Sequence, residues 1–298
     1  MRIMTHNVWG DYFGNAVDER VNDVINIYQS YTPDVIGFQE VTKSWNDSDL
    51  FSYLEKDYSF VGIDRFYSDN YVPIAFKKNL ELVAKGFERL GGVPDRSKAI
   101  SWAVLKRPNG QIFGVCNAHF WFMSGFEPEE KKQGIAKGFG EIAFFTNEQH
   151  KNVRADNARQ LIALMKRLAK EYGCPVFGIG DMNCTVQSRV FTDVCKSQNI
   201  PHLYDLAREK DDICSIHGYP VKTAEGKWHG ELPVKDHTWS IDHMIACGDG
   251  FTVQAYRTIT DQAALDASDH SCIFADIILT QKPKSRAADF ILPLGTLY

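Results

Sequence analysis

The stretch VFGIGDMNC, residues 176–184, begins as a buried strand and then turns polar. Val176 and Ile179 fit the core of a sheet, whereas Asp181 and Asn183 do not extend that apolar pattern. Polar groups held at the end of a rigid strand are typical of functional sites, because the scaffold fixes their position. The other strand ends of the chain are therefore the places to search for matching chemistry.

A second strand with a polar end lies earlier in the chain. VIGFQE, residues 35–40, aligns with VFGIGD, residues 176–181, so that Glu40 takes the position of Asp181. Both segments read as buried strands that end on a carboxylate. The similarity indicates a repeated unit rather than an isolated motif.

The strands that precede these two also match each other. THNVW, residues 5–9, aligns with NAHFW, residues 117–121, which places Asn7 at the position of His119. Each of these strands is followed by an amphipathic helix and then by the second matching strand. We therefore expect two sheets related by pseudo-symmetry, with their polar strand ends converging on one cleft.

Hydrophobic periodicity places the remaining elements. Apolar residues recur at helical spacing in 17–30 and 154–172. Short apolar runs bounded by Gly, Pro and Asn predict strands at 2–9, 34–39, 58–63, 72–77, 80–87, 99–106, 111–119, 175–180, 241–247, 251–258 and 271–279. No Pro/Gly/Ser-rich linker divides them, so the chain is predicted to be a single α+β domain spanning 1–298.

Composition narrows the classes of function. The formal net charge is -5, with acids and bases interspersed, which gives no electrostatic footprint for long nucleic acid and no polybasic membrane patch. A local basic groove that binds nucleic acid would still be compatible with this net charge. The sequence has no run of about 18 apolar residues, so no membrane-spanning helix is predicted. A monomer is expected.

The start of the chain and its cysteines bear on the compartment. MRIMTHNVWG is already strand-like, without a hydrophobic signal segment, so a cytoplasmic location is expected, or secretion if a signal peptide was removed. The seven cysteines have no CxxC or Cys/His ligand spacing. They are expected to be reduced core thiols, and a zinc site is not expected.

Polar residues recur at six predicted strand ends. They are Asn7, Glu40, His119, the pair Asp181 and Asn183, Asp242, and the pair Asp269 and His270. Taken singly, each has an ordinary explanation as a cap, a turn former or a solvated residue. Together they supply hard oxygen ligands, two imidazoles and neutral amides, which are the groups needed for metal-assisted hydrolysis of a phosphate ester.

Chemistry suggests a division of labour among these residues. Glu40 with Asn7 is suited to a sparse Mg2+ or Mn2+ site, because magnesium prefers one or two carboxylates together with water and substrate oxygens. Asp181 is expected to align or deprotonate the attacking water, and Asn183 to hydrogen-bond the charge that builds on phosphorus. Asp242 is expected to orient a histidine.

The SDH sequence at 268–270 places two different groups side by side. Adjacent residues on a strand face opposite ways, so Asp269 and His270 are expected to do different jobs. His270 is the histidine that Asp242 is expected to orient.

Six motifs in this order resemble the endonuclease/exonuclease/phosphatase (deoxyribonuclease I-like) superfamily in its bacterial form. They are HNVWG (6–10), PDVIGFQEV (33–41), CNAHF (116–120), GDMN (180–183), SIDHM (240–244) and SDHS (268–271). SIHGY (215–219) is also similar to a stretch found in many bacterial members. The resemblance covers nearly the whole chain.

The resemblance implies a fold and a set of roles. The fold is a four-layer α/β/β/α sandwich of two mixed sheets. The metal, Mg2+ or Mn2+, would lie near Asn7 and Glu40 with Asp269 close by. The family pattern also implies that His119 and His270 grip the scissile phosphate or pass protons, that Asp181 acts on the nucleophilic water with Asn183 beside it, and that Asp242 supports His270.

Two positions depart from the family pattern. The stretch NYVPIAFKK (70–78) places Val72 where related proteins carry a glutamate that pairs with the first histidine, so His119 is expected to lack that carboxylate partner. His243 stands where an apolar residue is common and is interpreted as structural or cleft-lining.

The leading hypothesis is a Mg2+-dependent phosphoesterase that acts on a small phosphorylated molecule or a lipid headgroup. The alternatives are a metal-dependent endo- or exonuclease, and a catalytically silent binding module of the same fold. Two long segments next to the strand ends, 121–152 and 220–238, are expected to carry substrate choice. The first is rich in aromatic residues suited to closing over a compact ligand or to covering core.

Overall fold

The computed structural model describes residues 1–12, 14–63 and 70–280, so the end of the predicted domain at 281–298 lies outside the described residues. The described strands are β1 (Arg2–Asn7), β2 (Val35–Gln39), β3 (Tyr58–Val61), β4 (Ile74–Lys77), β5 (Glu81–Arg89), β6 (Ala99–Lys106), β7 (Ile112–His119), β8 (Val176–Asp181), β9 (Glu209–Lys210), β10 (Val221–Lys222), β11 (Trp228–His229), β12 (Asp242–Cys247), β13 (Phe251–Thr258) and β14 (Ile273–Leu279). The α-helices are α1 (Val21–Tyr31), α2 (Lys43–Asp47), α3 (Asp49–Leu54), α4 (Glu129–Phe139), α5 (Asn147–Tyr172), α6 (Leu203–Leu206) and α7 (Gln262–Ala267).

Twelve of these strands form two mixed sheets. The larger sheet has the order β3-β4-β2-β1-β14-β13-β9, and the smaller sheet has the order β12-β8-β7-β6-β5. The remaining strands, β10 and β11, pair as a hairpin within the segment 220–238. All eleven predicted strands are present, with bounds shifted by up to two residues.

The sheets pack face to face, and helices cover their outer faces. One apolar cluster joins the inner faces and includes Ile3, Phe113, Phe177 and Ile273. A second cluster lies between the smaller sheet and α5, and a third lies between the larger sheet and α1, α2, α3 and α7. The predicted α+β class and four-layer α/β/β/α arrangement are thereby confirmed.

Both predicted helices form, although their first residues differ from the prediction. The helix predicted at 154–172 begins earlier, at Asn147, because Thr146 and Gln149 form a capping box there. The helix predicted at 17–30 begins at Val21 and ends at Tyr31, where Thr32 adopts a left-handed conformation. The short helices have too few turns to leave a clear periodicity in the sequence.

The predicted repeat corresponds to two parallel strand pairs. β1 pairs in parallel with β2 in the larger sheet, with Asn7 opposite Gln39. β7 pairs in parallel with β8 in the smaller sheet, with His119 opposite Asp181. In each unit the chain crosses between the strands through a helical segment on the outer face. The carboxyl ends of both pairs therefore point toward the same region of the molecule.

A buried polar bridge joins the two sheets just below these strand ends. Gln39 Nε2 donates to Asn117 Oδ1 over 2.6 Å, and Asn117 Nδ2 donates to the carbonyl of Phe38 over 2.7 Å. Gly37 makes the approach feasible, since a Cβ there would lie 2.5 Å from Asn117 Oδ1. Because buried amides must be paired, this bridge fixes how the strand ends of one sheet face those of the other.

Candidate active site

One hydrogen bond brings the two halves of the predicted site together. Asn7, at the end of β1, donates from Nδ2 to Asp181 Oδ2 at the end of β8, over 3.1 Å. Both side chains are almost fully buried. Residues 174 positions apart in the chain thus share the floor of one cleft.

Asp181 is the most connected carboxylate of this floor. Its Oδ2 lies 3.3 Å from His119 Nε2 and 4.0 Å from His270 Nε2, and its Oδ1 accepts from the backbone N–H of Asn183 over 2.8 Å. Burial opposes ionisation, but the hydrogen bond and charge of His119 and the charges of His270 and Lys98 outweigh it, so the pKa of Asp181 lies well below its usual range. Asp181 therefore stays ionised at neutral pH.

Backbone conformation aims the polar groups of three strand ends. Trp9, Glu40 and Asn183 all have positive φ angles, of 55°, 62° and 49°. Left-handed conformations are costly for residues other than glycine and cluster at functional sites. Just before Asp181, Gly180 has a φ of 137°, and a Cβ there would overlap the carbonyl of Ala118. Only glycine therefore lets β8 end in this geometry.

His270 is held by a buried carboxylate. Its Nδ1 lies 2.7 Å from Asp242 Oδ2, which also accepts from the hydroxyl of Ser215 over 2.7 Å. Burial disfavours the imidazolium, but the charges of Asp242, Asp269 and Asp181 raise the pKa of His270 well above its usual value. His270 is accordingly a cation at neutral pH, with its Nε2 turned toward Asp181.

Two further carboxylates lie on the β1/β2 side of the cleft. Glu40 Oε2 accepts from the backbone N–H of Gly10 over 2.8 Å, and Asp269 is nearly buried. Burial and the charges of Glu40 and Asp181 raise the pKa of Asp269 to about 6. Carboxylates that repel each other in a buried place are the kind of oxygen donors that a hard divalent cation prefers.

Asp181, Asp242 and His270 form another group of three, with ligand atoms within 4.8 Å of one another. Asp242 and His270 already hydrogen-bond each other in this group. Its geometry therefore suits the orientation of a histidine better than metal ligation.

A buried arginine holds the loops that carry these groups. The guanidinium of Arg20 is fully buried and donates to the carbonyls of Val8, Trp9 and Ala267. It therefore ties the loop after Asn7 to the segment just before the 268–270 sequence.

His119 lacks the glutamate that the family pattern places at position 72, but another carboxylate lies beside its ring. Val72 is indeed buried; its backbone N–H donates to Asn70 Oδ1 and its carbonyl accepts from Asn117 Nδ2. The carboxylate beside His119 comes instead from Asp181 on the neighbouring strand. The partner changed because β7 and β8 are paired in parallel, which places both strand ends side by side.

Lys98 is a site residue that sequence reasoning missed. Its Nζ lies 2.7 Å from His119 Nε2, and the residue is 4% exposed. It directly precedes β6, and a lysine next to an apolar run is ordinarily expected to be exposed to solvent at the end of the strand. Ser215 was also missed, although the SIHGY stretch that contains it is the one feature that could have drawn attention to it.

The cleft above this floor has a volume of about 730 Å³. Phe122, Phe139 and residues 94–98 are among the residues that line it. Tyr12 and Tyr219 line the cleft as well and are exposed. Both aromatic and charged side chains therefore surround the polar floor.

The two segments expected to carry substrate choice differ in their contribution. From 121–152, Phe122 and Phe139 reach the cleft, whereas Trp121 is fully buried in a small cluster of its own. The hairpin in 220–238 packs on the loop after β1, since Trp228 contacts Trp9 edge to face. Trp121 therefore contributes to the core of this segment and not to the cleft lining.

His243 and Asn183 make contacts that define their places. His243 is buried, with Nδ1 3.0 Å from His202 Nε2 and Nε2 2.7 Å from the carbonyl of Cys184, so it does not line the cleft. Asn183 does line the cleft, and its Nδ2 donates to the carbonyl of Phe120 over 3.0 Å. One of its two amide hydrogens is therefore committed to the protein.

The described residues also show how the chain stands with respect to membrane-spanning helices and disulfides. No helix among them is long and apolar enough to cross a membrane. All seven cysteines are free thiols, and six of them are buried.

One comparison with known protein families matches most of the chain. The sequence model of the Endonuclease/Exonuclease/phosphatase family matches residues 4–270. A search of functionally curated proteins found no match to the chain. The family match therefore rests on a pattern spread over most of the chain.

Solved structures share the same fold at low sequence identity. An endonuclease/exonuclease/phosphatase from Bacteroides vulgatus is 20% identical, with a TM-score of 0.68 over 93% of this chain and 98% of its own. A mannosyl-6-phosphatase from Bacteroides thetaiotaomicron is 17% identical, with a TM-score of 0.61 over 94% and 100%. The human Nocturnin catalytic domain with bound sulfate is 15% identical, with a TM-score of 0.64 over 94% and 94%. Such likenesses establish the fold alone.

Proposed function

The chain belongs to the Endonuclease/Exonuclease/phosphatase family, and on that premise we propose that it is a divalent-metal-dependent phosphoesterase acting on a small phosphorylated molecule. Members of the family are generally phosphoesterases or nucleases. The observation that carries the proposal is the position of Asp181, an ionised carboxylate held between two imidazoles and an amide on the floor of a cleft.

Asp181 acts on the attacking water. Because its pKa is low, it is a weak base before reaction, so its main effect is to align the water by accepting a hydrogen bond. It accepts the water's proton as the new P–O bond forms and the bond from phosphorus to the ester oxygen breaks, and the departing alkoxide takes a proton from solvent. Asn7, His119 and the Asn183 backbone hold the carboxylate in one orientation, which supplies the fixed geometry that such catalysis requires.

His270 stabilises the phosphoryl group as its charge develops. Asp242 fixes the ring through Nδ1 and supports its positive charge, which leaves Nε2–H free to donate toward the cleft. Ser215 orients Asp242 in turn. Ser215, Asp242 and His270 therefore act as one unit, and replacing Ser215 or Asp242 should displace the positively charged His270 ring.

Glu40, Asp269 and Asn7 would hold the metal ion. Their oxygen donors and the mutual repulsion of the carboxylates, expressed in the raised pKa of Asp269, fit Mg2+ or Mn2+. A bound divalent ion would polarise the phosphoryl oxygen and neutralise charge near the leaving group.

The character of the cleft favours a compact substrate over long nucleic acid. Its lining includes five carboxylates but only three Lys or Arg side chains. The carboxylates are Glu40, Asp95, Glu127, Asp181 and Asp269, and the Lys and Arg residues are Arg96, Lys98 and Lys131. Duplex binding depends on several cations that neutralise successive phosphates. Aromatic walls with a few polar groups instead suit a sugar or similar polyol that carries a phosphate.

The test is a substrate panel assayed with the purified chain in Mg2+, in Mn2+ and in EDTA. The panel contains sugar phosphates, inositol phosphates, lipid-headgroup phosphoesters, simple diesters, oligonucleotides and plasmid DNA. We expect metal-dependent phosphate release from small esters and negligible plasmid nicking at physiological salt. Efficient plasmid nicking without small-ester turnover would favour a nuclease, and inactivity on every class in either metal would favour a silent binding module.

A further inference from the structure

Lys98 is an unusual residue for the interior of a protein. Its side chain lies in the cleft wall just before β6 and is almost fully buried. Its Nζ lies 2.7 Å from Nε2 and 3.3 Å from Nδ1 of His119, and 5.3 Å from the centre of the Phe122 ring. Lysine is rarely buried unless an acidic group pairs with it.

No such pair is present in the described part of the chain. The carboxylates that act on Lys98 are Asp95, Glu40 and Asp181, and none of them forms an ion pair with it there. Burial outweighs their charges and lowers the pKa of Lys98. Lys98 thus lines the cleft with the His119 ring, rather than a carboxylate, as the nearest partner of its Nζ, which leaves a place for an anionic ligand.

The contact with His119 is one that a ligand can replace. A ring nitrogen cannot accept a hydrogen bond and donate one at the same time. Lys98 Nζ and Asp181 Oδ2 therefore compete for His119 Nε2, from which they lie 2.7 Å and 3.3 Å away. A phosphate oxygen that draws the ammonium away from the ring therefore frees His119 Nε2 to act on the water or on the phosphoryl group.

We propose that Lys98 is the specificity-determining residue that selects phosphomonoesters over phosphodiesters. The proposal rests on the phosphoesterase function proposed above and names its substrate class. A monoester at neutral pH carries nearly two negative charges on three non-bridging oxygens, whereas a diester carries one charge on two. Lys98 supplies the cation for the additional oxygen, as a point charge that does not require bidentate geometry.

The surroundings of Lys98 disfavour a diester. The Phe122 ring, His119 and the ammonium occupy the same side of the cleft. A second ester substituent on this side would cover Lys98 and leave its charge buried without a partner, which is costly. A terminal phosphate places a charged oxygen there instead.

The variant Lys98→Met tests the proposal, because methionine keeps most of the volume and removes the charge. We expect kcat/KM for phosphomonoesters to fall about 30- to 100-fold, the range of a lost charge-assisted hydrogen bond. Activity on a simple diester, where detectable, should change less than about threefold. Lys85→Met, an exposed lysine on β5, is the matched control and should behave as the wild type.

Two further measurements keep the test independent of turnover and of folding. Calorimetric titration with inorganic phosphate should show at least tenfold weaker binding by Lys98→Met than by the wild type. The melting temperature should stay equal or rise, since replacing a buried charge with an apolar side chain is often stabilising. Lys98→Gln keeps a polar donor but no charge, and it should also bind phosphate more weakly than the wild type. This variant replaces Lys98→Met in the test if Lys98→Met fails to fold.

The outcomes separate the two proposals. Equal losses on monoesters and diesters, or unchanged phosphate affinity in both variants, would overturn the role of Lys98. Wild-type protein without activity on any ester would refute the phosphoesterase function, whereas the phosphate titrations would still measure what Lys98 binds.

Discussion

The β1/β2 and β7/β8 strand pairs have the same backbone plan but present opposite chemistry to the cleft. The first pair brings Glu40 and Asn7, close to Asp269, into a region where carboxylates repel one another. The second pair brings His119 and Asp181 together, with the ammonium of Lys98 against the ring. In the proposed reaction, the carboxylates of the first side would hold a metal cation, and Asp181 on the second side would align the water that attacks the phosphate.

The fold therefore determines where the strand ends lie, and the side chains at those ends determine the chemistry of each side of the cleft. Parallel pairing places two strand ends next to each other in both sheets, whatever residues they carry. At the cleft floor the two sides are linked through a neutral amide, Asn7, which donates to Asp181 while its oxygen accepts from the Trp9 backbone. Changes made on one side should therefore give results distinct from changes made on the other.

Asp181→Asn should cause the largest loss of activity of the substitutions considered, and it should act on the β7/β8 side alone. We expect kcat to fall by about 10²–10⁴-fold, because the carboxylate that aligns the water is replaced by an amide. Metal affinity should change little, since the residue lies on the β7/β8 side. Asp249→Asn, at an exposed turn, is the control. Turnover within tenfold of the wild type would remove Asp181 from the chemical step.

Asn183→Ala should lower kcat by about 10²–10³-fold if the remaining amide hydrogen meets charge in the transition state. Because the residue has a φ of 49°, alanine also strains the backbone. Asn183→Gly removes the same side chain without that strain. Equal losses of kcat in the two variants would support a catalytic side chain, whereas normal turnover in the glycine variant would show that only the backbone matters.

Glu40→Gln should affect the opposite side of the site. We expect the metal concentration needed for half-maximal activity to rise about 10- to 100-fold, with a lower kcat at saturation. Calorimetric titration with Mn2+ measures the same loss without substrate. An unchanged metal requirement would contradict the assignment of Glu40 as a ligand. Glu225→Gln, exposed on the β10/β11 hairpin turn, is the control.

The smallest effect concerns two histidines that lie outside the cleft. Burial lowers the pKa of His202 well below its usual value and that of His243 to about 4. The unfolded chain therefore binds more protons than the folded chain between about pH 6.5 and 4, and the stability that these rings contribute above pH 6.5 is lost as the pH falls through that window.

His243→Leu should reduce the loss of unfolding free energy between pH 6.5 and 4.5 by about 1–2 kcal/mol, because one titrating ring is gone. Urea melts at several pH values measure this. The variant should retain kcat at pH 7 within about threefold, unlike any change at His270. The same acid sensitivity as the wild type would show that His243 does not titrate as inferred.

Most of the fold could be predicted from the sequence, because its elements depend on local periodicity. The eleven main strands, α1 and α5 each contain enough alternating or helical apolar positions to be recognised. Short elements such as α2 and β9 could not, since one turn or two residues carry no period. The strand ends with polar groups were recognisable for a related reason: a buried run that stops at a carboxylate or an amide is a local feature.

The contacts among those strand ends required the tertiary structure. Sequence determined that Asp181, His119 and Asn7 stand at ends of strands, and the order of their motifs indicated the family. Only the packing of one sheet on the other decided that Asn7 reaches Asp181, and only strand pairing gave His119 a carboxylate from β8. Lys98 makes the same point, because neither its burial nor its contact with a ring 21 residues away is encoded locally. Both arise from long-range packing, where the neighbours of a side chain are set by the whole fold.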